Sequence, residues 1–273
     1  MKQLLLGPRM RFSAVSILIA AAIQLTALLP THTQAETLSG MAGTWNFNTL
    51  SSGTGASRWS RGEITVADDG TYTASGTDNS GNILDFSGVF SISSDGLEMS
   101  GTGSSDTLYQ TDSREELITC TQTESDGSVT LIVATKQAAA CSQSNLTGTW
   151  QLNSLSSGSQ NQWMRSTVTV NGNGTFTAPQ VNSDGTKKTK TGDLSISSGG
   201  EVTVASCPLC SDSEQEIVMD SGKTLMVGTS TKSDGSTAQL QVFSKKAASY
   251  SAADLPGTWR MNTLVSGPTD ESH

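Results

Sequence analysis

Histidine, a side chain that commonly acts as a catalytic base or metal ligand, is nearly absent from this chain of 273 residues, which contains two. His32 lies close to the N-terminus and His273 is the last residue, so the long stretch between them contains no imidazole. This excludes His-based catalytic triads, His general bases and His metal ligands from the body of the chain. Carboxylate pairs such as Glu115 and Glu116 occur, but no nucleophile and base can be assigned beside them. We therefore predict a protein that is not an enzyme and that uses no cofactor or metal.

A Cys-x-x-Cys segment is a second candidate for chemistry. Cys207 and Cys210 could supply two thiolates to zinc, a redox-active dithiol or a local disulfide. The segment has no βαβ context and no histidine after it, and no second Cys-x-x-Cys completes a zinc site. We therefore predict a disulfide between Cys207 and Cys210. The pairing of Cys120 and Cys141 stays open, because a bond between them requires the intervening chain to fold back.

Two Trp-x-Arg segments are candidates for binding a ligand. Trp59 precedes Arg61 by two residues, and Trp163 precedes Arg165 by the same interval. Residues two apart on a strand point to the same side, so each guanidinium is expected to stack on its indole. Two hypotheses fit this pattern, namely a ligand-binding mouth and a cluster at the rim or surface of the protein.

The first 35 residues resemble an export signal. Three basic residues among the first eleven are followed by an apolar run from Phe12 to Pro30, and Thr33 and Ala35 suit a small-residue cleavage site. The alternative is a transmembrane anchor, since the run approaches the ~20 residues that span a bilayer. We predict a signal peptide at 1–35, export to the periplasm or exterior of a bacterial cell, and no membrane span after cleavage.

Charge narrows the range of partners. The chain carries 16 basic and 25 acidic residues. Residues 1–35 contain three of the basic residues and none of the acidic ones, so the rest of the chain has a net charge of −12. Such a field repels nucleic acid and anionic lipid surfaces. We expect no nucleic-acid partner.

The chain contains internal repeats. Segment 42–53 reads AGTWNFNTLSSG, 147–158 reads TGTWQLNSLSSG and 256–267 reads PGTWRMNTLVSG. An insertion of about four residues after Gly200 places the Cys-x-x-Cys segment in the second copy alone. We predict repeat domains at 36–139 and 144–249, and we interpret 253–273 as the truncated start of a third repeat. The residues expected to have a structural role are Gly43, Trp45, Gly148, Trp150, Gly257 and Trp259.

Apolar residues alternate with polar ones inside each copy, and turn pairs such as Asp69-Gly70 recur along the chain. This pattern predicts short strands joined by tight turns. In the first copy strands are expected near residues 43–50, 59–67, 71–78, 83–93, 97–102, 107–112, 116–124 and 128–136, and the second copy has the same eight. The two edge strands of a meander of this size are protected most simply when they pair with each other and close a barrel. We predict two tandem eight-stranded antiparallel meander β-barrels, with β-sandwiches as the alternative all-β fold.

The Gly-Thr-Trp motif at the start of each meander resembles the Gly-x-Trp signature of lipocalins and related calycins. The resemblance implies that the tryptophan closes one end of the barrel and that a basic residue of the last strand packs across its indole. Lys136 would occupy that position in the first copy, and Lys245 or Lys246 in the second. The resemblance also implies a cavity for a small apolar ligand.

What recurs between the copies is glycine, tryptophan, arginine, asparagine and turn residues, whereas the carboxylate pairs do not recur. This favours folding over catalysis as the reason for the repetition. We predict an exported, non-catalytic β-repeat protein that acts as a structural or interaction module of the cell envelope or exterior, with an envelope protein as its partner. The alternative is lipocalin-like binding of a small apolar ligand.

Overall fold

The structure is a computed structural model that describes residues 38–53, 57–93, 96–101, 107–112, 114–208, 210, 212–249, 251–257, 259 and 261–264. The predicted signal peptide lies outside these residues. The described chain forms two eight-stranded β-barrels, each preceded by one helical turn. No helix within the described ranges has the length and apolar character needed to cross a bilayer.

The first barrel is a continuous antiparallel meander. Its strands are β1 (Gly43–Ser52), β2 (Arg58–Val66), β3 (Thr71–Asp78), β4 (Ile83–Ser93), β5 (Gly96–Gly101), β6 (Thr107–Thr111), β7 (Leu117–Thr123) and β8 (Val129–Lys136). Each strand pairs with the next, and β8 pairs with β1 to close the barrel. Closure leaves no unpaired edge, which is why the barrel rather than the sandwich is the observed fold.

The second barrel repeats this topology. Its strands are β9 (Gly148–Ser157), β10 (Gln162–Val170), β11 (Thr175–Asn182), β12 (Lys187–Ile196), β13 (Glu201–Ala205), β14 (Ser213–Met219), β15 (Leu225–Thr231) and β16 (Ala238–Lys245). Strand β16 pairs with β9 to close it. The prediction of two all-β meander barrels is confirmed. It could be made from the sequence because alternation and turn residues act locally.

The alternation of buried and exposed residues along a strand determines which side chains line the interior of each barrel. On β3, Tyr72 and Ala74 are buried while Thr71 and Thr73 face outward and are exposed. Strand β11 has the same pattern, with Phe176 buried inside. Successive side chains of a strand point to opposite faces, so β3 and β11 each contribute one row to the interior and one row to the outer surface.

A tryptophan and a lysine close one end of the first barrel. The helical turn α1 (Leu38–Met41) ends in carbonyl groups that have no partner within the turn. Trp45 Nε1 donates a hydrogen bond to Met41 O at 2.8 Å, and Lys136 Nζ donates one to Gly40 O at 2.8 Å. The ammonium lies 5.7 Å from the centroid of the Trp45 ring, as the resemblance to calycins implied.

The second barrel has the same closure. Trp150 Nε1 donates to Leu146 O at 2.7 Å at the end of α2 (Gln143–Leu146), and Lys245 Nζ donates to Asn145 O at 2.8 Å. Lys245 lies 5.2 Å from the ring centroid of Trp150 and pairs with it in register, so Lys245 rather than Lys246 is the equivalent cation.

In both barrels the glycine of the Gly-Thr-Trp motif lies at the junction between the helical turn and the first strand. Gly43 and Gly148 both have φ of 124°, and Gly257 has φ of 142°. A residue with a Cβ is strained in this region, which explains why the motif uses glycine at this position.

A third apolar cluster joins the two barrels. It is formed by outward-facing residues of both, namely Leu50, Trp59 and Val133 of the first barrel and Val227, Ala238 and Leu240 of the second, together with Leu264. A backbone hydrogen bond also links the two barrels, since Ser221 N donates to Lys136 O at 2.9 Å. The barrels therefore form one packed body rather than two independent ones.

The described part of the third copy lies outside any strand. Trp259 Nε1 donates to Leu255 O at 2.8 Å, as in the other two copies, but Trp259 is 72% exposed and Met261 is 84% exposed. Leu264 is only 8% exposed, and Asn262 Nδ2 donates to Thr119 Oγ1 at 2.8 Å. The segment thus keeps the local geometry of the motif and packs its last described residue between the barrels.

Candidate ligand cavity in the second barrel

The first Trp-Arg pair lies between the barrels. The Arg61 guanidinium stacks 4.2 Å from the centroid of Trp59, as expected. Trp59 Nε1 donates to Thr231 Oγ1 at 2.9 Å, and Arg61 Nε pairs with Glu216 Oε2 at 3.0 Å, so both partners come from the second barrel. Burial lowers the pKa of Arg61, against the opposing effect of Glu216 and Glu214. This pair holds the barrels together, and no ligand mouth forms at it.

The second Trp-Arg pair also faces outward. Arg165 stacks 4.6 Å from the centroid of Trp163, which is 39% exposed. The pair lines a shallow groove of about 360 Å³, together with Leu131 of the first barrel and Leu155 and Val242 of the second. The structure therefore brings neither Trp-Arg pair to the interior of a barrel.

Aromatic rings occupy the interior of the first barrel. Phe47 and Phe86 lie 5.9 Å apart, Tyr72 and Phe90 lie 4.8 Å apart, and Phe90 and Tyr109 lie 6.4 Å apart, measured between ring centroids. Burial raises the pKa of Tyr109. These rings pack against one another in the apolar core of the first barrel.

The interior of the second barrel encloses a cavity of about 570 Å³. Its deeper part is apolar and is lined by Leu152, Val168, Phe176, Leu194, Ile217, Met226 and Phe243. Its polar lining consists of glutamines, lysines and aspartates, namely Gln180, Gln215, Gln239, Gln241, Lys188, Lys190, Lys232, Asp184, Asp212 and Asp234. The cavity lining is therefore amphipathic.

Lys190 is the least expected residue of this cavity. It lies on β12 opposite Ala178 and is half-buried. Desolvation lowers the pKa of its ammonium, Asp212 opposes that effect, and the neighbouring Lys232 and Lys188 lower the pKa further. Among the described residues, Lys190 has no ion-pair or hydrogen-bond partner.

The difference between the interiors traces to single positions. In the first barrel Ala74 pairs with Phe86, and in the second Ala178 pairs with Lys190, so the lysine stands where the first barrel has a ring. In the same way Ile132 pairs with Thr49 of β1, whereas Gln241 pairs with Ser154 of β9. These residues were missed by the sequence analysis. A comparison of the two copies restricted to inward-facing positions would have found them.

A disulfide lies at the rim of the cavity. Cys207 and Cys210 are bonded, with their Cα atoms 5.2 Å apart, which confirms the predicted disulfide. Pro208 and Cys210 line the cavity. The insertion that distinguishes the second copy thus forms part of the mouth, and the bond restricts the conformations of that loop.

The other two cysteines are free. Cys120 is fully buried among the inward-facing residues of the first barrel, where burial raises its pKa to about 12. Cys141 packs against the apolar core of the second barrel, and burial also raises its pKa. The two thiols belong to separate cores, which answers the question of pairing that the sequence left open. Within the described ranges, no group of three or more His, Cys, Asp or Glu side chains is placed to hold a metal ion.

Neither protein-family models nor curated proteins give a match to this chain. Among solved structures, the chain is similar to the crystal structure of a protein with unknown function from the DUF3598 family of Nostoc punctiforme. The two share 10% sequence identity, the alignment covers 77% of this chain and 99% of that one, and the TM-score is 0.27. The all-β barrel architecture is established by the strand pairing of the chain itself.

Proposed function

We propose that the protein is a non-catalytic binding protein whose second barrel holds a small molecule with a mainly apolar body. The observation that carries this proposal is the cavity, which is enclosed by strands, apolar at depth and about 570 Å³ in volume. Ligand pockets commonly measure ~300–1,000 Å³ and combine an apolar lining with a few polar groups. The calycin-like closure by Trp150 and Lys245 leaves the opposite end of the barrel as the entrance.

Export is part of this proposal. The Cys207–Cys210 disulfide supports an oxidising compartment, in which such bonds persist. The sequence of the first 35 residues supports the same location.

The test is a titration with N-phenyl-1-naphthylamine, a neutral apolar probe whose fluorescence rises on transfer out of water. Val204 lines the cavity and Thr203, its neighbour on β13, is exposed on the outer face. We expect saturable binding of one probe per chain, at least about tenfold weaker binding by Val204→Trp, and unchanged binding by Thr203→Trp. The matched variants add the same side chain inside and outside the same strand.

Two results would overturn the proposal. One is the absence of saturable binding by the unmodified chain. The other is equal binding by both tryptophan variants, which would place the probe outside the barrel.

A second candidate function is self-association through the outer face of the second barrel. Trp59 is covered by strands β15 and β16, whereas its counterpart Trp163 is 39% exposed. Strands β7 and β8 of the first barrel are the equivalents of β15 and β16, and they present the exposed residues Val129 and Thr123. We propose that this face of a second copy covers Trp163 in the way that the second barrel covers Trp59.

Sedimentation velocity over a range of protein concentrations tests this candidate. We expect a concentration-dependent increase in mass that is lost in Trp163→Ala and also in Val129→Asp, since the two residues belong to opposite sides of one head-to-tail contact. A chain that stays monomeric at all concentrations, or that associates equally well with either substitution, would refute it.

A further inference from the structure

We infer that the ligand of the second barrel is an amphiphile with an anionic head group, bound by Lys190 with Lys188 and Lys232 beside it, and with an apolar chain that lies in the deeper cavity. This inference rests on the proposed function and deepens it by naming the class of ligand. The anion is a carboxylate or a phosphate monoester.

The position of Lys190 is the first argument. The equivalent residue in the first barrel is Phe86, whose ring packs against Phe47 and Tyr72 at centroid distances of 5.9 and 6.3 Å. An ammonium at this position leaves the space of the ring unfilled and adds a positive charge to the lining of the cavity. Folding of the barrel does not require this change, because the first barrel has a ring at the same position.

The lack of a partner is the second argument. A partly desolvated cation is costly unless it is paired and hydrogen-bonded. Lys190 has no ion-pair or hydrogen-bond partner among the described residues, and Lys188 and Lys232 lie close enough to act on it. An anion that enters the cavity would accept charge-assisted hydrogen bonds from the ammonium groups.

The carboxylates at the mouth do not fill this role. Asp184 accepts hydrogen bonds from Thr186 N and Oγ1 at 2.8 and 2.7 Å, within its own turn. Asp234 accepts them from Thr237 Oγ1 at 2.6 Å and from Ser236 N at 2.9 Å. Asp212 is the one remaining carboxylate that lines the cavity in the described chain, and the same lining contains three lysines, Lys188, Lys190 and Lys232.

Buried amides line the cavity together with the lysines and the apolar residues. Gln239 and Gln241 are 2% and 4% exposed, and Gln241 Nε2 donates to Gln239 Oε1 at 2.8 Å. A buried amide offers both donors and acceptors and can rotate to serve a polar head group. The cavity therefore offers apolar residues, amides and ammonium groups, which are the groups that an amphiphile with a polar head would contact.

The test is displacement of N-phenyl-1-naphthylamine by dodecanoate, by dodecyl phosphate and by neutral dodecan-1-ol at pH 7.5. The three share one apolar chain and differ in the head group. We expect the unmodified protein to bind at least one of the anions about tenfold or more tightly than the alcohol. Lys190→Met should remove most of that preference and leave the affinity for dodecan-1-ol within about twofold, whereas Lys190→Arg should keep the preference.

Lys187→Met is the matched control, because Lys187 is on the same strand and faces solvent. It should leave the preference intact. The inference fails if the unmodified protein binds the alcohol as tightly as both anions, or if Lys190→Met prefers an anion as strongly as the unmodified protein. Either result differs from failure of the proposed function, in which the probe itself does not bind.

Discussion

The two barrels have the same frame and opposite interiors. Both are closed by the same strand pairing and by a tryptophan with a lysine across it. The first is filled by aromatic rings such as Phe47 and Phe86, and the second has Leu152 and Lys190 at those positions and encloses a cavity. The comparison shows that the residues that pair the strands and close the end of a barrel differ from the residues that line its interior. One copy can therefore change its interior without loss of the fold.

The largest expected effect tests the contact between the barrels. Trp59→Ala should lower the free energy of unfolding by about 3–5 kcal/mol, because the indole is 2% exposed and its loss opens the shared cluster and frees Thr231. Trp163→Ala, its counterpart on an exposed face, should cost less than about 1 kcal/mol. Urea denaturation followed by circular dichroism measures both. Equal costs would mean that the barrels are not energetically coupled through Trp59.

The next effect tests the contrast between a filled and a hollow interior. Phe90 and Leu194 occupy equivalent positions, since their backbone N–H groups donate to Gly70 O and Gly174 O, both at 2.8 Å. Phe90→Ala should cost about 3–5 kcal/mol because it removes a ring that packs on Tyr72 and Tyr109. Leu194→Ala should cost about 2 kcal/mol, since one side of this residue already borders a cavity. A larger cost for Leu194→Ala would contradict the contrast, and the measurement is again urea denaturation.

A smaller effect concerns the third copy of the motif. Leu264→Ala should lower the free energy of unfolding by about 2 kcal/mol, because this side chain is 8% exposed within the cluster between the barrels. Met261→Ala should change it by less than about 0.5 kcal/mol, because Met261 is 84% exposed. Thermal unfolding of both variants decides the point. No difference between them would show that the segment adds nothing to the contact.

The smallest effect compares two turns at acidic pH. Hydrogen bonds from Thr237, Ser236 and Ser159 hold the pKa of Asp234 well below its usual range, so the stability it contributes is present above the unfolded pKa of ~4 and is lost as the pH falls below it. Melting temperatures between about pH 5 and pH 2 should therefore fall less steeply in Asp234→Asn than in the unmodified protein. Asp126→Asn should show a weaker change, because Ser128 is the main cause of the lowered pKa of Asp126, whereas three residues hold down the pKa of Asp234. Parallel curves for all three proteins would contradict this account.

Much of the frame could be predicted because its signals are local. Alternation and turn pairs placed the strands within about two residues, as for the predicted 59–67 and the observed Arg58–Val66. The disulfide could be predicted because its cysteines are three residues apart. The helical turns α1 and α2 were missed, since four residues carry no periodicity.

The candidate site could not be predicted in the same way. The spacing of Trp59 and Arg61 correctly indicated a stacked pair, but which surface would cover them depends on a barrel more than 150 residues further along the chain, as the Arg61 contact with Glu214 illustrates. Nothing in the local sequence distinguishes Lys190 from Lys187 and Lys188, and only the strand register and the cavity show that it lies opposite Ala178 and inside the barrel.

The sequence by itself determined the number of barrels, the course of their strands, the tryptophan closures and the disulfide, because each depends on residues close together in the chain or on a repeated motif. Only the tertiary structure decided which barrel is filled and which is hollow, that Cys120 and Cys141 lie in separate cores, and that Trp59 joins the barrels. These properties depend on the volume and charge of side chains that meet across the barrel from distant strands, and pairwise packing of that kind leaves no periodic signal in the chain.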